Sequence, residues 1–438
     1  MAVGYASPGV YVEEVDRGTK PIESAGTSIA AFIGITAEAS RKSLDPNTGE
    51  RVAVESVLNK ATLVTNWTQY SDMFGGFVAG AYLPEAVYGY FANGGGPCYV
   101  TSLLALHEMP AKAKPAAKPA KEGEESKAAP APDEATAAAL TANDYIGDPA
   151  TRTGLGGLEA LEEVNLVLCP DVMMGYDGSK KAKDMIKAVQ TAMIAHCEKM
   201  RFRFAILDTP PGLNAQQAKE WREFLNFDTS HAALYYPWLE IANLGGAGTK
   251  LVPPSGHLVG IYGRSDTERG VHKVPANEVV RGAVSLEIQL SRGEQDVLNP
   301  IGVNCIRAFP GRGIRVWGGR TLSSNGAWRY INVRRLFNMV GSSLDRGLQW
   351  VVFEPNDTAL WAKVRRDITS YLRVVWRSGA LFGTTPEQAF YVKCDEELNP
   401  PEIRDLGQLI IEVGLAPVKP AEFVILRISQ WAGANAEA

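Results

Sequence analysis

The sequence predicts an α/β protein in which mixed sheets are flanked by helices and extended strand arms lie at both ends. Two observations support this class. Between residues 29 and 238, short apolar runs alternate with segments whose apolar residues repeat at helical spacing. Short connections between such segments are typical of a mainly parallel sheet that helices cover on its faces. In addition, each end of the chain carries a short run of branched apolar residues near Gly or Pro, which favours an isolated strand.

The composition is that of a globular protein large enough to form two or more lobes. The chain has 438 residues, of which 45% are hydrophobic and 21% are charged, and its net charge is -5. This negative balance argues against a general nucleic-acid binder, which is normally basic. No apolar run approaches the roughly 18 residues that a membrane helix needs, and the first residues lack a secretory signal pattern. We therefore expect a protein that folds in the bacterial cytoplasm and does not insert into a membrane.

Residues 1–28 are predicted to form an N-terminal arm. A strand pattern, VYVEEV at 10–15, precedes a polar stretch that Gly and Pro interrupt. A tethered strand of this kind can pair within its own sheet or in the sheet of a neighbouring subunit, and the pattern alone leaves both roles open. The candidate pairing residues are Val10, Tyr11, Val12 and Val15.

Residues 29–107 and 138–297 are predicted to form one α/β domain. Its strands are predicted at Ile29–Ile35, Cys98–Leu103, Val164–Leu168, Phe202–Leu207 and Ala232–Trp238. The first of these is apolar throughout, as central strands of a covered sheet are. Its helices are predicted at Trp67–Phe74, Pro84–Phe91, Ser179–Glu198 and Asn214–Phe227. Residues 40–54 are polar and predict a loop or a small excursion. Residues 108–137 consist almost wholly of Ala, Lys, Pro, Glu and Ser, which predicts a disordered surface linker because such a segment cannot bury enough apolar surface.

Residues 298–420 are predicted to form a C-terminal core domain. The turn cluster FPGRG at 309–313 lies between two apolar runs, which predicts a hairpin. Further strands are predicted at Trp328–Val333, followed directly by a helix, and at Gln349–Phe353. Thr358–Ser378 carries its apolar residues on one face at helical spacing and predicts an amphipathic helix.

Residues 421–438 are predicted to form a C-terminal arm. Phe423–Leu426 is interpreted as a buried strand because its four residues are all apolar. The candidate pairing residues of this arm are Val424, Leu426 and Ile428.

The predicted helix at 358–378 also carries a basic stripe. Its members are Lys363, Arg366, Arg373 and Arg377, with Ser370 between the second and third, and they are spaced three, four, three and four residues apart. A solvated charged face is the ordinary explanation for such a pattern. The functional alternative is a surface that docks on an acidic partner.

The sequence offers no convincing catalytic or cofactor site. The segment GGAGTK at 245–250 lacks the Gly-Lys-Ser/Thr order of a phosphate loop, and the glycines at 311 and 313 lack the third glycine of a dinucleotide fingerprint. The histidines show no zinc spacing. Ser255 and His257 lie close together, but no nucleophile elbow accompanies them. The five cysteines are scattered in mostly apolar surroundings and predict buried free thiols. We expect no enzyme activity, no cofactor and no metal.

Several blocks of sequence, in the same order, resemble contractile tail sheath proteins of phages and of related bacterial injection systems. In the N-terminal part they are PGVYVEEV at 8–15 and IAAFIGIT at 29–36. In the C-terminal part they are GVNCIR at 302–307, GIRVWG at 313–318, WRYINVRR at 328–335, WVVFEPND at 350–357, WRSGALFG at 376–383 and VKPAEFV at 418–424. The resemblance covers nearly the whole chain except the low-complexity segment.

The resemblance implies a tail-sheath fold and a structural function. Copies would polymerise as a helical sheath, with sixfold symmetry, around an inner tube and contract to drive that tube through a target envelope. The two arms would enter the sheets of neighbouring subunits, and residues 298–420 would face the tube through the basic stripe. Baseplate and terminator or cap proteins are the further partners implied, and the particle would be a phage tail or a released injection particle.

Two other functions stay open at the level of sequence. One is an α/β nucleotide-dependent enzyme, which requires a phosphate loop or a catalytic pair that the sequence does not display. The other is a static self-assembling tube or shell protein. Sequence does not separate this from a contractile sheath, because metastability belongs to two alternative packings of the same subunits.

Overall fold

The computed structural model describes residues 21–44, 51–107 and 140–427. The predicted N-terminal strand at 10–15, the low-complexity segment 108–137 and Ile428 lie outside the described residues. The chain divides into two compact units. We call residues 25–341 with 417–438 the main unit, and residues 1–24 with 342–416 the C-terminal unit. The predicted domain boundaries stay predictions.

The main unit contains the strands β1 to β13. Their bounds are Ala30–Thr36, Ser40–Leu44, Arg51–Ser56, Thr62–Val64, Cys98–Ala105, Leu166–Leu168, Phe204–Asp208, Ala232–Tyr236, Leu239–Ala242, Thr249–Val252, Ala283–Leu286, Val303–Phe309 and Gly313–Val316. The helices α1 to α9 span Trp67–Phe74, Leu83–Ala92, Ala142–Ile146, Gly154–Gly157, Lys180–Met200, Ala215–Leu225, Ser255–Arg269, Arg292–Leu298 and Ile331–Gly347. In the C-terminal unit, α10, α11 and α12 span Thr358–Arg377, Pro386–Ala389 and Pro401–Asp405, while β14 and β15 span Phe390–Lys393 and Glu412–Leu415.

The predicted α/β class is confirmed by the main sheet. Its strand order is β13-β12-β8-β7-β6-β1-β5-β4, and the pairs from β12 to β5 are parallel. The two outer pairs, β12–β13 and β4–β5, are antiparallel. Successive residues of β1 enter opposite cores, with Phe32 on one face and Ile33 on the other, as the period of a strand requires. Helices therefore cover both faces of the sheet.

Helix starts follow from local capping chemistry. The side chains of Asn66, Ser179 and Asn214 accept hydrogen bonds from backbone N–H groups in the first turns of α1, α5 and α6. At the other end of α6, Asn226 adopts a left-handed conformation, with φ 49°, and ends the helix there. These side chains explain why the predicted helices in this region begin within a residue of the observed ones.

Residues 40–54 were predicted as a loop or a small excursion, and the described part of this segment belongs to an antiparallel hairpin of β2 and β3. Val52 and Val54 on β3 are 47% and 63% exposed. The hairpin therefore gains its order from backbone pairing rather than burial, and a hydrophobicity pattern does not detect it.

Two predicted strands in the C-terminal half are wrong. Trp328–Val333 contains the end of a 3-10 turn at Gly326–Trp328 and the start of α9. Gln349–Phe353 contains a 3-10 turn instead of a strand, and Phe353 is fully exposed with φ 68°. Both errors come from apolar runs too short for a helical period to be recognised.

The predicted burial of Phe423–Leu426 is also wrong within this chain. These four residues have no strand assignment, and their exposed fractions are between 71% and 80%. By contrast, the predicted hairpin at 309–313 is confirmed by β12 and β13, and all five cysteines are buried and unpaired. Among the described residues, no helix is both long and apolar enough to cross a lipid bilayer.

Candidate assembly surfaces

The C-terminal unit contains a small sheet with two open edges. β14 and β15 pair in antiparallel fashion, with Phe390 opposite Leu415 and Lys393 opposite Glu412. Among the described residues, each strand pairs only with the other. The outer edge of each strand therefore presents backbone donors and acceptors that a further strand can use.

Side chains outside the strands hold this small sheet in place. Asn399 is fully buried; its Nδ2 donates to the backbone oxygens of Asp395 and Ile410, and its Oδ1 accepts the N–H of Ile410 at 2.7 Å. Arg365 on α10 donates to the backbone oxygen of Cys394, directly after β14. The sheet is thus fixed to its helix although its edges are open.

The basic stripe lies on one exposed face of α10. Lys363, Arg366, Ser370, Arg373 and Arg377 are all exposed. The opposite face is buried through residues that include Leu360, Val364, Ile368 and Leu372, as the predicted amphipathic pattern requires. Arg366 Nε lies 3.1 Å from Asp367 Oδ1. The stripe is therefore an accessible cationic face, and docking on a partner stays a prediction.

The C-terminal tail is held to the main unit at Glu422. Arg320 contacts this carboxylate at two points, Nε to Oε1 at 2.8 Å and Nη2 to Oε2 at 2.7 Å. Asn299 Nδ2 donates to Oε1 at 2.7 Å and the Tyr330 hydroxyl donates to Oε2 at 2.9 Å. Burial alone would raise the pKa of Glu422, but these hydrogen bonds outweigh it and lower the pKa. The carboxylate is therefore ionised at neutral pH and makes charge-assisted bonds.

Directly after Glu422 the tail is exposed and apolar. Val424 and Leu426, both predicted as arm residues, are 78% and 80% exposed. Both predicted residues thus lie on one exposed segment. Val10, Tyr11, Val12, Val15 and Ile428 lie outside the described residues, so pairing of either arm stays a prediction.

A second polar cluster holds the chain at Thr27. Arg335 Nη2 donates to the Thr27 backbone oxygen at 2.9 Å, and the Thr27 hydroxyl donates to Asp266 Oδ2 at 2.6 Å. Arg335 also binds both oxygens of Asp266, at 2.9 and 2.5 Å, and stacks on the Tyr262 ring at 4.7 Å. The Arg335 and Asp266 side chains are 3% and 6% exposed, so this is a buried ion pair.

Sequence reasoning missed both polar clusters. Arg320 and Glu422 were not singled out, since each partner lies far away in the sequence. A signal was present for Glu422, because this charged residue stands between Ala421 and Phe423 in the block VKPAEFV. A charged residue between apolar neighbours is a candidate for a paired position.

A cationic cavity of about 910 Å³ opens beside the tail. Its basic lining residues are Arg269, Lys273, Arg292, Arg307, Arg320 and Lys419. Arg320 is neutralised by Glu422, and Lys273 is paired with Glu278. In the described residues, no group of three or more His, Cys, Asp or Glu is placed to bind a metal ion.

The sequence features that resembled enzyme motifs have structural roles. Residues 245–250 span the turn between β9 and β10 and the start of β10, and Lys250 is bound to Glu85 Oε1 at 2.6 Å. The glycines at 311 and 313 belong to the β12–β13 hairpin. His257 is 2% exposed, and burial lowers its pKa to about 4, so it is a neutral core residue.

Comparisons with known proteins find tail sheath proteins similar to this chain. Residues 130–322 match the family model described as phage tail sheath protein central domain, and residues 323–430 match phage tail sheath C-terminal domain. The tail sheath protein of Escherichia phage P2 is 24% identical over 428 residues, covering 96% of this chain and 94% of that protein. The tail sheath protein of Vibrio phage KVP40 is 28% identical, in a match that covers 40% of this chain and only 26% of that protein.

A solved structure is similar along its whole length. It is the sheath complex of an extracellular contractile injection system, PVC, in its contracted state. The two chains are 27% identical and superimpose with a TM-score of 0.68, and the match covers 98% of this chain and 99% of the other.

Proposed function

Because this chain belongs to the phage tail sheath family, we propose that it is the structural subunit of a contractile sheath that polymerises helically around an inner tube. The observation that carries the proposal is the end-to-end similarity to a sheath subunit whose complex was solved in a contracted state. The two family matches, which together run from residue 130 to 430, support the same function. On contraction, the sheath would drive its tube through a target envelope.

Strand exchange through the open sheet edges is the proposed means of polymerisation. The apolar tail at 423–426 is 71–80% exposed, and β14 and β15 present unpaired edges among the described residues. An arm from one subunit would add to the small sheet of another by β-augmentation. The N-terminal strand at 10–15 would act in the same way at a second neighbour.

The inner tube is the proposed partner of the basic stripe. The stripe places four exposed cationic side chains on one face of α10, and an acidic tube surface would complement them. Baseplate and terminator proteins are further proposed partners at the two ends of a sheath with sixfold symmetry. We propose that assembly takes place in the bacterial cytoplasm, before the finished phage tail or injection particle is released.

Two alternative functions receive less support. A nucleotide-dependent enzyme would need Lys250 free to bind phosphate, and its amine is bound to Glu85 and to the Ala81 backbone oxygen. A static tube would not need a second packing of its subunits, whereas the similar PVC sheath was solved in a contracted state.

Electron microscopy tests the proposal. The purified chain is mixed with its inner tube protein and imaged in negative stain, with the tube alone as a control. We expect striated sleeves around the tube. Bare tubes beside dispersed subunits at high concentration would reject the proposal.

A further inference from the structure

We propose that the first turn of α9 is a common anchor for both ends of the chain, so that the two arms leave the main unit from one rigid support. We call residues 25–29 the N-terminal root and residues 418–422 the C-terminal root. The structural part of the inference concerns these roots alone. Its consequence for polymerisation rests on the proposed strand exchange.

The C-terminal root is held by the residues that open α9. The Asn332 side chain is 1% exposed, and its Nδ2 donates to the Val418 backbone oxygen at 3.0 Å and to that of His272 at 2.7 Å. Just before the helix, Tyr330 donates to Glu422, which Arg320 also binds. The backbone oxygen at one end of this root and the side chain at the other are thus bound by residues at, or just before, the start of α9.

The N-terminal root is held from the next positions of the same helix. Arg335 lies three residues after Asn332 and donates to the Thr27 backbone oxygen. Its second partner, Asp266, accepts from the Thr27 hydroxyl, so the ion pair and Thr27 form one closed group. Breaking this group would leave a buried charge without its partner, which is costly.

The shared anchor explains why these polar residues are buried next to the ends of the chain. Tyr330, Asn332 and Arg335 lie within about one and a half helical turns, and the last two belong to one continuous helix. A pull on one arm would therefore be transmitted to the root of the other. These three are positioning residues, because they act on the arms through the two roots.

A distance measurement between the two roots tests the inference on the soluble full-length chain. Spin labels are attached at Gly26→Cys and Ala421→Cys. Position 26 has open space around its Cα and Ala421 is exposed, while the five native cysteines are buried and poorly accessible to the label. Pulsed electron paramagnetic resonance then reports the distribution of label-to-label distances.

We expect one narrow distance peak in the parent chain. Glu422→Gln and Arg335→Gln should each broaden this peak, because each loosens one root. Glu268→Gln and Arg329→Gln, which change exposed residues of the same types, should leave it unchanged. If Arg335→Gln fails to fold, the double variant with Asp266→Asn removes both buried charges together and serves instead.

A broad distribution in the parent chain, or a narrow one in both loosened variants, would overturn the shared anchor. Sheath formation is measured separately by sedimentation and microscopy of the unlabelled variants. In that measurement, Glu422→Gln and Arg335→Gln should each give less polymer than the Glu268→Gln control. Normal polymer yield from these two variants would reject the link between the roots and assembly. If the parent chain forms no polymer, the proposed function fails, while the distance data still decide whether the roots share an anchor.

Discussion

Lys250 and Glu85 form an ion pair at 2.6 Å, in which the carboxylate is 2% exposed and the lysine side chain 22%. Among the described residues, the Glu85 Oε2 atom has no hydrogen-bond partner, so Lys250 supplies the main compensation for this buried charge. Burial raises the pKa of Glu85, and the charge and hydrogen bond of Lys250 oppose that rise. The pair therefore stabilises the main unit and occupies the lysine of the segment that resembled a phosphate loop.

The first prediction follows from this pair. Lys250→Met should lower the free energy of unfolding by roughly 3 kcal/mol, because it leaves a buried carboxylate unpaired. Adding Glu85→Gln should recover part of the loss. Chemical denaturation measures both variants, and Lys181→Met, on the exposed surface of α5, is the control. A Lys250→Met protein as stable as this control would show that the pair contributes nothing.

The second prediction concerns the exposed tail. Pairing of five residues gains about 0.5–1.5 kcal/mol for each backbone hydrogen bond, while ordering them costs about 1–2 kcal/mol each. Apolar side chains must therefore provide the surplus. Val424→Asp or Leu426→Asp should abolish polymers and leave the melting temperature of the monomer unchanged, since both residues are exposed in it. We expect the same of Ile428→Asp.

Val54→Asp is the matched control for the tail, because this valine is 63% exposed on a hairpin away from the arm. Sedimentation separates polymers from monomers in each sample. Polymers of normal length and yield from Leu426→Asp would contradict donation of the C-terminal arm.

The third prediction concerns the basic stripe. Reversing Arg373 and Arg377 to Glu should weaken tube binding by about tenfold or more, since opposed charges become like charges. The monomer should stay folded, because both side chains are exposed. Binding of the wild type should also weaken as salt increases. Co-sedimentation with the tube measures the effect, and a double reversal of Lys180 and Lys183 on α5 is the control. If the stripe variant binds the tube as well as this control does, the stripe is an ordinary solvated face.

The fourth prediction is a pH dependence that arises at Asp208. Burial raises the pKa of this carboxyl to about 7, although hydrogen bonds from Ser255 act to lower the pKa. Because the folded pKa lies above the unfolded one of about 3.9, the contribution to stability is fully present at low pH and is lost as pH rises through 7. Asp208→Asn should therefore stabilise the protein at pH 8 and have little effect at pH 4. A stabilisation equal at both pH values would contradict the assignment.

The main sheet could be predicted because its sequence determinants are local. β1 is apolar at nearly every position and completely buried, and α6 begins at Asn214 and ends at Asn226, which cap it. The amphipathic character of α10 was equally visible, and its basic stripe is exposed as the pattern predicted.

The anchor residues could not be predicted for the opposite reason. Trp328–Val333 was predicted as a strand and Arg335 as part of the following helix, but nothing in the pattern indicated that the polar side chains of Asn332 and Arg335 are buried. Their partners Val418 and Asp266 lie 86 and 69 residues away, and no local pattern in the sequence indicates contacts between residues so far apart. In the tail at 423–426, hydrophobicity predicted burial, whereas these residues are 71–80% exposed within this chain, so their pairing with another subunit stays a prediction.

Contraction is the central claim, and imaging of assembled sheaths before and after a trigger tests it most directly. Sheaths grown on tubes are measured by electron microscopy, then exposed to mild denaturant and measured again. The account predicts hollow striated cylinders in two distinct lengths and pitches, the shorter one irreversible and wider. Cylinders of a single pitch under all conditions, or dispersed monomers and small rings, would contradict it.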